Sequence, residues 1–242
     1  MLKTPAIVIK ETDYRDNDKM ITLFSPTFGK IDMLSRGCKK QSSKLLASSQ
    51  LFACGDFDLN EKNHRYYHTG CDMTFSFYGL REDYNKLFTA SFFIEMINAF
   101  IMQNQENKML YALLINCLYA LENGINDDKL VSQFFLIKFA DLVGLRPDTS
   151  QCCDDCGPSE TLYFCYDDGA VLCRDCASQY KYEKTIISRK SISIIDKTVD
   201  LPTKAICSSN PTEISPEIIN IFYNFLQNQV NVKIKSYKLL NN

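Results

Sequence analysis

The sequence predicts an α+β fold in which a five-stranded N-terminal β-barrel precedes a helical domain, itself interrupted by a small cysteine-rich zinc module. Three observations carry that expectation. Five short apolar or alternating runs fill residues 1–80, helical spacing takes over near Arg81, and six of the eleven cysteines crowd into residues 152–176.

The runs are Ala6-Ile7-Val8-Ile9, Met20-Ile21-Thr22-Leu23-Phe24, Lys30-Ile31-Asp32-Met33-Leu34, Leu51-Phe52-Ala53 continuing into Phe57-Asp58-Leu59, and Met73-Thr74-Phe75-Ser76-Phe77. Turn-like segments at residues 13–18 and 25–29 separate the first three. Short alternating runs between turns read as a small antiparallel sheet, and five such strands suit an OB-fold barrel. Periodicity alone leaves another small barrel or a sandwich open.

Beyond Arg81 the apolar residues recur at three and four positions. Leu87, Phe88, Ser91, Phe92, Glu95, Met96, Ala99 and Phe100 make one stripe, residues 109–121 a second helix and residues 130–143 a third. Asp127 or Asp128 can cap the third, Gly144 can close it, and Pro147 follows. Later, Ser215-Pro216-Glu217 supplies an N-cap serine with proline at the first helical position, and Ile218, Ile219, Phe222 and Leu226 continue on one face. The expected division is residues 1–80 for the barrel, 81–150 for the first helical part, 151–178 for the zinc module and 179–242 for the second helical part.

Cys153-Asp-Asp-Cys156 and Cys173-Arg-Asp-Cys176 are two C-x-x-C pairs with sixteen residues between them, the interval of a zinc ribbon. Two thiolates three positions apart meet one face of a tetrahedral ion, and a hairpin returns the second pair to the other face. Leu162-Tyr163-Phe164 and Ala170-Val171-Leu172, joined through Asp167-Asp168-Gly169, supply that hairpin. Gly157 allows the turn after the first pair, and Cys152 offers an alternative register to Cys153. Cys165 reads as a packing residue. A four-thiolate site is closed to water, so the expected cofactor is one structural zinc ion and the protein is expected not to be an enzyme. His64 and His68, the only histidines, read as ordinary surface or core residues.

The eleven cysteines are odd in number and no export signal precedes them, which argues for a reducing, cytoplasmic compartment. No run of eighteen uncharged apolar residues appears, so no membrane partner is expected. The net charge is -2, so any polyanion site must be a local patch. Residues 36–44 hold one: Arg36, Lys39, Lys40 and Lys44 among glycine, serine and glutamine, with no acid. Cations beside small hydroxyl residues suit phosphate recognition, and a solvated surface loop has the same composition.

The order of these pieces resembles the bacterial RecO recombination-mediator family. The resemblance runs through Ala6-Ile-Val-Ile-Lys10, Asp16-Asn-Asp-Lys19 before Leu23-Phe24, Gly29-Lys30-Ile31, Arg36-Gly37 with Lys39-Lys40, Ser43-Lys44-Leu45, the helical region with its two C-x-x-C pairs, and Lys235-Ser-Tyr-Lys238-Leu239. It implies an OB-fold followed by a helical domain with a zinc insert. It also implies binding of single- and double-stranded DNA, annealing of complementary strands, and cooperation with RecR to load RecA on DNA coated by single-stranded-DNA-binding protein. DNA contact then falls on Lys30, Arg36, Lys39, Lys40 and Lys44, with Tyr66, Tyr67 and Phe75 as candidate stacking residues or core. The acidic tail of the single-stranded-DNA-binding protein is expected near Lys138 or Arg146. Association with the nucleoid would follow. The rival reading is a zinc-containing protein–protein adaptor whose DNA contact is incidental.

Overall fold

The computed structural model describes residues 2–150, 160–230 and 232–237. The chain forms two compact units, one of residues 1–87 with 96–112 and the other of residues 88–95 with 113–242.

In the first unit, β1 (Leu2–Tyr14), β2 (Asp18–Ser25), β3 (Gly29–Ser35), β4 (Cys54–Lys62) and β5 (Arg65–Phe75) close into a barrel of order β1-β2-β3-β5-β4. Every neighbouring pair is antiparallel except β3 with β5, which is the OB-fold arrangement. Closure leaves no strand edge open to a stray chain. Alternate residues of the strands fill the interior: Ala6, Val8, Ile21, Leu23, Ile31, Met33, Phe57 and Leu59. The continuous run from Ala6 to Ile9 is buried on both faces, and the β1–β2 register shifts between Val8 and Lys10. Val8 also exchanges backbone hydrogen bonds with residues 52 and 53, at 3.0 and 2.9 Å, so the chain entering β4 is stitched to β1.

A short turn of helix, α1 (Gly79–Glu82), leads to α2 (Tyr84–Phe100), whose N-cap Asp83 accepts from the backbone N–H groups of Asn85 and Lys86. The segment between α2 and α3 (Lys108–Glu122) lies on the β2–β3 turn. Lys30 O accepts from Asn104 N at 3.3 Å, Gln103 Nε2 donates to Asp32 Oδ2 at 2.8 Å, and Gly29 packs against the Gln105 backbone at a φ of +64°.

The second unit is built round α4 (Asp128–Leu142), which is buried from Leu130 to Ala140. Asp127, not Asp128, is its N-cap, accepting from Lys129 N at 2.8 Å. Gly144 closes the helix at a φ of +79°. Phe135 stacks on Phe93 with ring centroids 4.1 Å apart. After α4 come the hairpin strands β6 (Leu162–Cys165) and β7 (Ala170–Cys173), α5 (Arg174–Gln179), β8 (Lys184–Ile187), α6 (Arg189–Asp200) and α7 (Pro216–Asn228). The three strands form a sheet of order β7-β6-β8. Gly169 takes the positive φ that the hairpin turn requires, +64°. Cys165 is fully buried at the end of β6, as a packing residue should be. Among the described residues, no helix is long and apolar enough to cross a membrane.

Two sequence expectations change here. Lys138 does not line an exposed basic groove: it is 6% exposed, and its ammonium donates to the carbonyls of Val199 and Leu201 at 2.7 and 2.8 Å. Its stem fills the α4 interface while its charge closes the C-terminal end of α6, where helix carbonyls lack partners. Burial lowers its pKa. Arg146 remains exposed. Ser215 does precede α7, but its hydroxyl pairs with Ser191 Oγ at 2.6 Å instead of capping the helix.

Candidate nucleic-acid interface

An OB barrel ordinarily receives a nucleic-acid strand across the outer face of β2 and β3, between the β1–β2 and β4–β5 turns. In this barrel the α2–α3 segment covers one end of that face. Lys30 lies beneath it, donating to the Asn98 carbonyl at 3.0 Å, and burial lowers its pKa. Asp32 is bound there too, by Thr22 Oγ1 at 2.6 Å and by Gln103. Lys30 and Arg36 stand at opposite ends of β3, roughly 20 Å apart along an extended strand.

The open end of the face is different. Met20 pairs across the sheet with Leu34, and Leu34 with Tyr67. Met20 is 38% exposed although its neighbour Ile21 is buried, so the row Met20–Leu34–Tyr67 offers apolar and aromatic surface to the outside. The Arg36 guanidinium sits over the Tyr67 ring, 4.9 Å from its centroid. On the β1–β2 turn, Arg15 lies 5.3 Å from the ring centroid of Tyr14, which is 39% exposed.

The basic segment is a chain of turns laid against this end. Ser43 N donates to Lys40 O at 2.9 Å, and Leu46 N to Ser43 O at 3.2 Å. Gly37 N donates to Asp18 Oδ1 at 2.8 Å and Lys39 N to Asn17 O at 3.1 Å, which fastens the segment to the β1–β2 hairpin. Gly37 takes a φ of +64° there. Cys38 turns inward and is 1% exposed, so Arg36 and Lys40 point out on either side of it. Lys44 is also exposed, near the end of the segment.

Carboxylates share the surface. Lys39 Nζ is 2.8 Å from Asp13 Oδ2, and this pairing holds the Asp13 carboxyl below its ordinary range. Lys19 Nζ is 2.7 Å from Glu11 Oε2. Arg36, Lys39 and Lys40 thus come together, Lys44 follows at the segment's end, and Lys30 stands apart. Of the aromatic candidates, Tyr67 belongs to the open face, Tyr66 packs partly on the barrel core, and Phe75 stacks on buried Phe77 at 5.3 Å.

Met20, Leu34, Tyr14 and Arg15 were not singled out from the sequence. The signal for Met20 was present, a large apolar side chain at an outward position of an alternating strand. His64 is fully exposed on the β4–β5 turn, while His68 is buried, consistent with the surface-or-core reading.

Of the four cysteines in the two pairs, Cys153 and Cys156 lie outside the described residues, as does Cys152. Cys173 ends β7 and is the N-cap of α5, and Cys176 lies in the first turn of that helix, with Cys176 N donating to Cys173 Sγ at 3.5 Å. A backbone N–H aimed at a sulfur stabilises thiolate character, so this half of the donor set fits a zinc ion.

A closed barrel of OB order, together with a helical unit that carries a cysteine hairpin, defines a protein of the OB-fold class with an appended helical unit. Comparison with known proteins makes the assignment specific. Residues 1–77 match the family described as recombination protein O N terminal and residues 81–238 that described as recombination protein O C terminal. The DNA repair protein RecO of Caldicellulosiruptor bescii is 31% identical over 82% of this chain and 81% of its own length. That of Acetivibrio thermocellus is 32% identical over 74% and 72%, and that of Clostridium novyi 27% over 100% and 94%. The chain belongs to the recombination protein O family, and its role is in DNA repair.

Proposed function

We propose that the protein binds single- and double-stranded DNA through the open end of the barrel, anneals complementary strands, and works with RecR to load RecA on DNA coated by single-stranded-DNA-binding protein. The apolar row Met20–Leu34–Tyr67, bordered by Arg36, Lys39 and Lys40, carries this reading. Cations neutralise phosphates whatever the sequence, and a short apolar row offers bases a surface without reading their edges. A contact limited to a few bases leaves the others of the same strand able to pair, which annealing requires.

The overall charge of -2 and the Asp13–Lys39 pair keep this binding modest at physiological salt. The same two observations favour the second reading, a protein–protein adaptor with incidental DNA contact. The chemistry is non-covalent on either reading, and no bond-breaking activity is assigned. One structural zinc held by Cys153, Cys156, Cys173 and Cys176 would supply cohesion to the hairpin segment. We place the protein in the bacterial cytoplasm, at the nucleoid. Because Lys138 is buried, exposed Arg146 is the candidate left for the acidic tail of the single-stranded-DNA-binding protein.

The test is annealing of complementary oligonucleotides already coated with that protein, comparing wild type with K39A/K40A. The variant should anneal slowly and bind with a salt slope lower by about 1.4, two single-strand phosphate contacts. An unchanged slope removes the basic segment from the site. Retention of RecR together with absent gel shifts supports the adaptor.

A further inference from the structure

The basic segment leaves the barrel after Ser35, at the end of β3, and returns through a 3-10 turn at Ala47–Ser49. Its two roots meet on one side chain. His68, on β5, is hydrogen-bonded through Nδ1 to Ser35 Oγ at 3.0 Å and Ser49 Oγ at 3.4 Å, and through Nε2 to Ser48 Oγ at 3.4 Å. Ser35 and Ser49 also bond each other at 2.8 Å. Ser35, Ser48, Ser49 and His68 are all buried, none above 5% exposed. One face of the imidazole rests on Phe57, whose ring centroid is 5.4 Å away.

We infer that His68 is the positioning residue of the DNA-binding segment: it ties both roots of residues 36–47 to the barrel and so sets where Arg36, Lys39 and Lys40 stand against Tyr67. The inference rests on the reading of that segment as the DNA site. A neutral imidazole suits the place because it has one donor and one acceptor nitrogen, and hydroxyl groups can take either role toward it. Buried hydroxyls left without a partner are costly, so the three serines converge on the ring and cannot turn to solvent. Fixing the ends of a loop removes conformations that would otherwise have to be lost when phosphate is bound. The cations themselves make few bonds within the protein, so their placement depends on the backbone that carries them.

The experiment is a double-mutant cycle on the full chain, with binding of a fluorescein-labelled oligothymidylate followed by anisotropy across a salt series. His68→Phe keeps the bulk and removes both nitrogens. It should weaken binding by roughly three- to tenfold, the loss of about one buried hydrogen-bonded connection, with a salt slope lower by about 0.7. In the K39A/K40A background, H68F should cost clearly less than in the wild type, because only Arg36 then remains for it to displace and residues acting through the same contact are not additive. His68→Gln, which retains a donor and an acceptor, should recover most of the affinity. Should H68F fail to fold, Ser49→Ala asks the same question at one root and should weaken binding by about twofold.

Wild-type affinity in H68F, or in S49A where H68F does not fold, overturns the inference, and so does an equal loss in both backgrounds, which is the mark of a general structural defect. Wild-type binding by K39A/K40A overturns the reading of the segment itself and the inference with it. Loss in K39A/K40A with none in H68F or S49A leaves that reading standing and removes His68 alone.

Discussion

The carboxylate of Asp13 and the ammonium of Lys39 are 2.8 Å apart across the mouth of the proposed DNA site. An intramolecular carboxylate there competes with a phosphate for the same cation. Asp13→Asn preserves size and hydrogen bonding while removing the charge. It should raise affinity for an oligothymidylate by about twofold at low salt, with the gain fading as salt rises, since the pair is exposed and screened. Anisotropy titrations at two salt concentrations check this, and unchanged binding at both would separate Lys39 from the phosphate path.

Arg36 and Tyr67 give a second prediction. The guanidinium lies over the ring, so the two side chains act as one platform, with a cation available to phosphate and an aromatic edge to a base. Arg36→Lys keeps the charge and loses the planar stack. It should cost affinity by roughly threefold with little change in salt slope, whereas Arg36→Ala should also lower the slope by about 0.7. Equal slopes for the two variants would count against a phosphate contact at this position.

His68 predicts how stability depends on pH. Burial lowers its pKa from the ordinary 6.5 to about 4, with Gly70 backbone and the Asp58 carboxylate opposing the shift weakly. Ser35, Ser48 and Ser49 complete its surroundings and carry no charge. The fold therefore prefers the neutral ring. Its contribution is complete above about pH 6.5, falls as the unfolded chain begins to bind a proton that the folded chain refuses, and is lost by about pH 4. The full span corresponds to about 3 kcal/mol. Urea midpoints measured between neutral pH and about pH 4.5 should fall less steeply in His68→Gln than in the wild type; parallel slopes would show that the folded and unfolded chains protonate His68 alike and that the fold does not hold the ring neutral.

Strand and cap chemistry made much of the fold legible beforehand. The first three runs became β1, β2 and β3, and residues 57–59 fell within β4. Residues 51–53, by contrast, form the turn before β4, and residues 73–77 reach only the last three residues of β5, whose start at Arg65 no run marks. Asp127 became the α4 cap, and residues 162–172 became the β6–β7 hairpin. The burial of Lys138 and the partial covering of Lys30 were not legible for a shared reason: a lysine's surroundings are set by distant segments, here the end of α6 and the α2–α3 segment, which local pattern does not reveal. Strand β8 was missed because four residues, Lys184–Ile187, carry too little alternation to stand out, and pairing with β6 is what makes them a strand. Which half of the β2–β3 face is open depends on the α2–α3 segment covering the other half, a contact between residues far apart in sequence.

Gly29 is a place where that covering can be broken by one atom. It takes a φ of +64°, and a Cβ there would collide with the backbone of Gln105. Both the left-handed conformation and the contact oppose any side chain, and neither can be relieved by rotating a side chain away. Gly29→Ala should destabilise the protein by about 2 kcal/mol or more, read as a lower urea midpoint, and should weaken amide protection at residues 103–105. Gly124, also at positive φ but with nothing within 4 Å of a Cβ, is the control: Gly124→Ala should cost less, because only the backbone conformation is strained. Equal costs at the two positions would mean that the α2–α3 segment does not press on the β2–β3 turn.

The cysteine hairpin provides the last prediction. Cys176 N points at Cys173 Sγ, and the hairpin strand β6 buries Phe164 against Phe222 and Phe225 of α7, with ring centroids 6.5 and 5.5 Å apart. Apolar packing on α7 orders one side of the hairpin, and the proposed zinc ion would order the neighbouring cysteines. Packing should outlast the metal. Native mass spectrometry of protein purified without chelators should find one zinc per chain, and Cys173→Ala should lose it. Chelation should release amide protection at residues 173–179 first, leave β6 partly protected, and leave the barrel strands unchanged. Because the thiols must lose their protons to hold the ion, zinc release should become easier as the pH is lowered. A wild-type protein that carries no zinc after growth in zinc-supplemented medium would reduce the hairpin to a packing element of the helical unit.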